Sequence, residues 1–329
     1  MSYTVTDESY DNIAAYPGNP DLNLRWDLIF VLPEWLKVWW QSFASGAELY
    51  LVSVRKDSRI IGIAPLQLKN HIASFIGSAD VCDYLDFIIT PGMENEFFAV
   101  LLDDLVQKGV EQLNLVSLRP DSTVLNSLIP IAQERYYYVE YEEKDVSVEM
   151  SLPPTWEEYL TRLDGKQRHE LRRKMGRLEK SGINMSYRTL EGDDAINTGL
   201  GNFMKLFSES RKDKAAFMTA QMETFFRSLA NAMSQAQLLR LGVLELNNKI
   251  SAMVMYFDYN NSIWLYNSGY DPDYSDLSVG LISKVFCIQD SIQKGRKKFD
   301  FLKGAEPYKY YLGGNEIPIY QCQIIFQRG

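Results

Sequence analysis

Histidine is nearly missing from this chain: 329 residues hold two, His71 and His169. The three cysteines, Cys82, Cys287 and Cys322, lie far apart and form no CxxC pair. A zinc site built from His and Cys would have to gather nearly all of them from scattered positions, whereas ordinary zinc sites use tight ligand pairs. No metal is therefore expected. Nor is a disulfide framework, and a reducing, cytoplasmic location fits best. A Ser-His-Asp triad would have to use one of the two histidines, and no GxSxG turn occurs. GxGxxG and GxxxxGK[ST] are absent too, so nucleotide-phosphate loops of those types are excluded. No uncharged apolar run approaches the ~18 residues of a membrane helix. The opening Met-Ser-Tyr-Thr-Val-Thr-Asp-Glu lacks the basic-then-apolar pattern of a signal peptide.

What is present is an ordinary globular composition, 46% hydrophobic and 23% charged. The length suggests about two domains. Net charge is −9 and uneven: residues 1–150 carry −13 and residues 151–329 carry +4. That asymmetry points to two units with different partners. The overall acidity disfavours a DNA binder, which carries a broad basic footprint.

The pattern is α/β throughout. Pro33 suits the first turn of a helix. Strands are expected at Glu48 to Val54 and Arg59 to Leu68, joined by a hairpin turn, then at Ile72 to Ile76 and Tyr84 to Ile89. A helix over Met93 to Gln107, a strand over Leu113 to Leu118, a helix over Ser122 to Gln133 and a long strand over Tyr136 to Met150 follow. Ser151-Leu152-Pro153-Pro154 reads as a boundary, giving domains 1–150 and 151–329. Thr155 with Glu158 forms a capping-box pattern. The second half then repeats the order of the first, with a hairpin signal at Asn247-Asn248. Duplicated architecture is the expectation.

Four segments carry chemistry. Trp264 to Leu281 reads strand, polar loop, helix start. Ser278 and Gly280 leave uncrowded amides there that suit a phosphate, although a plain Ser cap reads the same way. Phe299 to Gly314 is a buried strand running into a loop dense in Glu, Lys and Tyr, where Glu306 offers a base and Tyr308 an acid; a Tyr-rich packing loop reads the same way. Thr161 to Lys180 holds eight basic residues, either a solvated helix face or a surface for an anionic substrate. Asp83 and Asp86, if both lie in a strand, point to opposite faces and cannot form a simple acid/base pair.

Taken together, Tyr266 to Gly280, Phe299-Asp300-Phe301-Leu302-Lys303-Gly304 with Glu306-Pro307-Tyr308-Lys309, the Trp156-Glu157-Glu158-Tyr159-Leu160 opening with its basic helix, and Asp83-Tyr84-Leu85-Asp86 resemble the CelD-like (cellulose-biosynthesis-type) members of the GNAT acyltransferase superfamily. The resemblance implies two tandem GNAT-like domains, each a mixed central sheet flanked by helices, as in FemABX-type transferases. It implies an acyl-CoA donor, acetyl-CoA or longer, in the C-terminal domain only. The strand Ile263 to Gly269 would splay from its neighbour to admit the pantetheine arm. Tyr266, Asn267, Ser268, Gly269, Ser275, Leu277, Ser278, Val279 and Gly280 would contact the donor. Glu306 and Tyr308 would be catalytic, and Lys166, Arg168, Arg172, Asp83, Asp86 and Lys309 would face the acceptor. The usual loop reads Gln/Arg-x-x-Gly-x-Gly/Ala, and only Gly280 is a clear counterpart here. The expected reaction is acyl transfer to an amine or hydroxyl, on a small molecule or glycan of polysaccharide or cell-envelope metabolism. The acidic first half suits a cationic acceptor. Two other readings stand beside it: a FemABX-like transferase drawing on aminoacyl-tRNA, which the net charge opposes, and a non-catalytic GNAT-like binding module.

Overall fold

A computed structural model describes residues 2–326. The chain forms two compact units. One comprises the residues up to Val146 together with those from Ile317 onward; the other is Ser147–Glu316. The division expected at residue 150 thus runs four residues earlier, and the residues from Ile317 onward, expected in the second domain, belong with the first unit.

The first unit contains β1 (Tyr3–Asp7), the short α1 (Tyr10–Ile13), α2 (Pro33–Phe43), β2 (Glu48–Lys56), β3 (Arg59–Lys69), β4 (Ile72–Phe75), β5 (Ile88–Ile89), α3 (Glu94–Gln107), β6 (Gln112–Leu118) and α4 (Ile129–Glu134). Its strands run β1-β2-β3-β4-β6, with β5 on β3 and the chain's final strand against β6. The run Ile60, Ile61, Ile63, Ala64, Leu66 of β3 is buried, as a central strand covered on both faces requires. Edge-to-face contacts among Phe87, Phe97 and Phe98 fill the space beneath α3.

One expected strand is not formed. Of Tyr84 to Ile89 only Ile88–Ile89 pairs, because the Asp86 carboxylate accepts the amides of Phe87 (2.9 Å) and Thr123 (2.8 Å) and draws the chain into a loop. The argument that placed Asp83 and Asp86 on opposite strand faces lapses with it. The helix expected over Ser122 to Gln133 begins as a π-turn, Val124–Leu128, before α4.

The strand β7 (Tyr138–Ser151) leaves the first unit, and its residues from Ser147 onward pair with the second unit's sheet. That unit continues with α5 (Trp156–Arg162), α6 (Gly165–Lys180), β8 (Met185–Glu191), the single turn α7 (Gly192–Asp194), α8 (Leu200–Ser210), α9 (Lys212–Phe217), α10 (Ala220–Gln235), β9 (Leu239–Leu246), β10 (Lys249–Tyr259), β11 (Ser262–Tyr270), α11 (Val279–Gln293), β12 (Lys298–Lys303) and α12 (Pro307–Tyr311). The order is β7-β12-β11-β10-β9-β8. Thr155 caps α5 through the Glu158 amide, but the full capping box forms one helix later, between Asp164 and Gln167. The last strand, β13 (Asn315–Ile325), pairs antiparallel with β6. Sequence reading found neither α12 nor β13.

Both units repeat one plan. Four antiparallel strands lead through a helix to a strand that pairs parallel with the fourth over three positions: Ile72–Ser74 with Gln112–Asn114, and Ser262–Trp264 with Lys298–Asp300. Their hairpins turn on left-handed pairs at matching places, Asp57/Ser58 and Asn247/Asn248, then Asn70/His71 and Asn260/Asn261. Both parallel strands bear a left-handed non-glycine residue near the end, Ser117 (φ 59°) and Leu302 (φ 63°). This is the mixed α/β architecture, duplicated. No helix among the described residues is long and apolar enough to cross a membrane, and no three or more His, Cys, Asp or Glu among them are grouped so as to hold a metal ion.

Candidate active site

The site begins where two strands part. β11 pairs with β12 only from Ser262 to Trp264, whose partner is Asp300. β10 follows β11 on its other side as far as Tyr270. From Leu265 to Tyr270 the side of β11 that faced β12 therefore carries no ladder. The cause lies in β12. Buried Asp300 turns its carboxylate back onto the Leu302 amide (2.9 Å), and Leu302 adopts a left-handed backbone. Buried Lys309 then donates to the carbonyls of Leu302 (2.9 Å), Lys303 (2.7 Å) and Gly304 (2.9 Å), holding the strand end in its bend.

A cavity of about 750 Å³ lies here. Its walls come from the first turns of α6 (Lys166, Gln167, His169, Glu170, Leu171, Lys174), from Arg211 and Lys214 at α9, from Ser268 and Tyr270 of β11, from the Ser275–Leu281 loop and helix start, and from Lys284, Tyr308, Tyr311 and Leu312. The fifteen-residue α11 presents its N-terminus to this space. Ser278 takes a left-handed backbone (φ 57°), and its side chain does not cap the helix. Its hydroxyl instead receives Lys174 Nζ at 3.0 Å. The first intrahelical bonds come from Leu281 and Ile282 to the Ser278 carbonyl. The amides of Val279 and Gly280 precede them and need an outside acceptor. Helix dipole, two amides and Lys174 together favour a phosphate. Gly280 is needed there, since a Cβ would come within 2.9 Å of the Tyr270 ring.

Two lysines of the cavity wall are held below the usual lysine range by burial: Lys284 at about 7, with the charge of Lys214 as the next cause, and Lys214 at about 8, with Arg211 next. Lys284 is 6% exposed, donates to the Gly280 carbonyl at 2.7 Å and lies 4.7 Å from the centre of the Tyr308 ring. Lys214 donates to the Ser268 carbonyl and lies 4.8 Å from the Phe207 ring. Burial, and then the charge of Glu306, pushes the Tyr308 phenol far up, so it keeps its proton at neutral pH.

Of the residues singled out from sequence, the cavity gathers Lys166, Ser268, Ser275, Ser278, Val279, Gly280 and Tyr308. The others are employed elsewhere. Tyr266 stacks on Phe226, with ring centres 5.7 Å apart. Asn267 pairs with Met255 in the sheet, and Leu277 packs on a core of Val279 and Ile282. Gly269 lies against the backbone of α8, where a Cβ would sit 2.3 Å from Phe207 N. Arg168 reaches the Leu160 carbonyl at 3.4 Å, and Arg172 is exposed on α6. Glu306 does not line the cavity; it pairs with Lys309 at 2.9 Å. Lys309, placed by sequence among the acceptor contacts, is the clamp on β12. Asp83 and Asp86 belong to the first unit, and Asp86 is engaged by Thr123. Sequence reading passed over Lys284, Lys214, Arg211 and Tyr270. Lys284 had a signal: it is the sole charge in the apolar run Val279 to Ile288.

Residues 165–310 match a protein-family model described as an acetyltransferase (GNAT) domain. The match takes in all the cavity-lining residues except Tyr311 and Leu312. Among the solved structures that resemble this chain over nearly its whole length are the following two. The crystal structure of FemX is 9% identical, covers 97% of this chain and 96% of its own, and has a TM-score of 0.64. A conserved protein of unknown function from Bacteroides thetaiotaomicron is 14% identical, covers 98% and 100%, and has a TM-score of 0.58. At such identities the likeness is one of fold. No curated protein matches the chain.

Proposed function

We propose that the second unit is a GNAT-type acyltransferase that moves an acyl group from acyl-CoA to an amine or hydroxyl acceptor. The observation that carries this reading is the parting of β11 from β12 beyond Trp264 and Asp300, beside the open N-terminus of α11. A pantetheine arm is a chain of amides. The unladdered edge from Leu265 to Tyr270 offers it backbone partners, while the Val279 and Gly280 amides and Lys174 take the diphosphate.

The chemistry is direct. The acceptor nitrogen or oxygen forms a bond to the thioester carbon, the C–S bond breaks, and the sulfur leaves with its electron pair. The protein contributes alignment first. Tyr308, protonated and lining the cavity, gives a proton to the departing thiolate and regains one, through water, from the proton the acceptor releases as its new bond forms. Glu306, paired with Lys309, acts by holding the bend of β12 rather than as the base.

The first unit is read as lacking a donor site. Its corresponding helix, α3, opens with Glu94 and Glu96, whose charges repel phosphate where α11 presents Val279 and Gly280. The CelD-like resemblance extends the reading to an acceptor in polysaccharide or cell-envelope metabolism.

Thermal unfolding with acetyl-CoA, longer acyl-CoAs and free CoA tests the donor. At ~100 times its Kd a ligand adds roughly 2.7 kcal/mol. Absence of a shift with every CoA species overturns the reading. Tyr308→Phe is expected to abolish transfer while CoA binding persists; full activity in that variant removes Tyr308 as the acid.

A further inference from the structure

We infer that the cavity holds a second anion-binding position, between Lys214 and Lys284, which takes the carboxylate or phosphate of an acidic amine acceptor. This rests on the acyl-CoA reading above and names the acceptor's class.

The two lysines come from different elements, α9 and α11, and line one cavity. Neither forms an ion pair among the described residues. The nearby carboxylates are each paired with another cation: Glu306 with Lys309 at 2.9 Å, Asp213 with Arg211 at 2.8 Å and Glu170 of the cavity wall with Arg173 at 2.8 Å. An ammonium has three donors. Lys284 spends one on the Gly280 carbonyl, and Lys214 one on the Ser268 carbonyl. Their remaining contacts are ring faces, Tyr308 and Phe207. Cations withdrawn from water without a counter-charge are costly. The depressed titration of both groups is the mark of that cost. A fold that keeps two such groups facing a cavity is completed by an anion that arrives with a ligand.

The donor's diphosphate does not meet this need, because the Val279 and Gly280 amides and Lys174 already provide for it. The anion therefore belongs to the molecule whose nitrogen must reach the thioester: an amino acid, a peptide or an acidic amino sugar. This reverses the cationic acceptor that the acidity of residues 1–150 suggests.

Trace reductive methylation of the full chain, read lysine by lysine by mass spectrometry across pH, tests it. The protein is saturated with CoA, and the probes are inorganic phosphate and glutarate. One or both should raise the labelling midpoint of Lys214 and Lys284 by about one pH unit, a tenfold loss of reactive amine at fixed pH. Exposed Lys249 should not respond. Which probe acts distinguishes phosphate from carboxylate. Lys214→Met should erase the effect on Lys284; removing a buried charge in this way is compatible with folding. The inference is overturned if neither probe moves either lysine. It is overturned equally if CoA alone moves both and the probes add nothing, since the charges then serve the donor. If CoA fails to bind at all, the donor reading falls by itself, and the same probes on the free protein still decide whether the anion position exists.

Discussion

Lys309 Nζ donates to the carbonyl of Leu302 at 2.9 Å, and it does so from a side chain that is almost wholly buried. The same ammonium holds the carbonyls of Lys303 and Gly304 and the carboxylate of Glu306. It is the fastening that keeps β12 bent away from β11. Lys309→Met leaves three carbonyls without their donor, so urea unfolding should show a loss of about 3 kcal/mol. A raised KM at unchanged stability would instead return Lys309 to the acceptor site.

Gly269 and Gly280 lie eleven residues apart on the strand–loop–helix segment, yet they answer to different constraints. At Gly269 a Cβ would meet backbone, Phe207 N at 2.3 Å and Leu206 C at 2.5 Å. Neither can swing aside. Gly269→Ala should cost about 2 kcal/mol in denaturant unfolding. At Gly280 the obstacle is the Tyr270 ring, which can rotate, so Gly280→Ala should weaken CoA binding with a smaller change in stability. Calorimetric titration and unfolding of the two variants separate these effects; a reversed pattern refutes the assignment.

Ser278 pays for its left-handed backbone without capping α11. Ser278→Gly and Ser278→Ala both lose the bond from Lys174, but only glycine relieves the strain. The glycine variant should be the more stable by about 1 kcal/mol. Equal stabilities would show that the strain is not there.

Asp86 provides a pH signature in the first unit. Burial lifts its carboxyl to about 6, against the opposing hydrogen bonds from Thr123 and the Phe87 amide. The folded state therefore binds the proton more readily than the unfolded state. Stability should be greatest near pH 4 and fall as pH rises towards 6, by at most about 3 kcal/mol. Asp86→Asn should flatten that slope relative to the parent protein. An unchanged slope in urea titrations at pH 4, 5 and 6 would show that another group governs it.

Much of this protein is written locally. Pro33 at a helix start, the Thr155 cap, the Asn247-Asn248 turn and the repeated strand–helix order all follow from neighbours a few residues apart, and these interactions are the same in any context. Tyr266 to Gly280 was legible for the same reason: strand, loop and helix N-terminus are consecutive. The tertiary structure decided what depends on distant partners. Tyr84 to Phe87 have strand composition but obey Thr123, which captures Asp86. Tyr266 and Gly269 sit on the expected strand, yet their faces were assigned by Phe226 and α8. The parting of β11 and β12 exists because pairing ends at Trp264 and Asp300, a statement about two strands that neither makes alone. The convergence of Lys214 and Lys284, seventy residues apart, is likewise invisible in periodicity. Hydrogen bonds and turns are encoded where they occur. A cavity and its charge are properties of surfaces that meet only after the chain has folded.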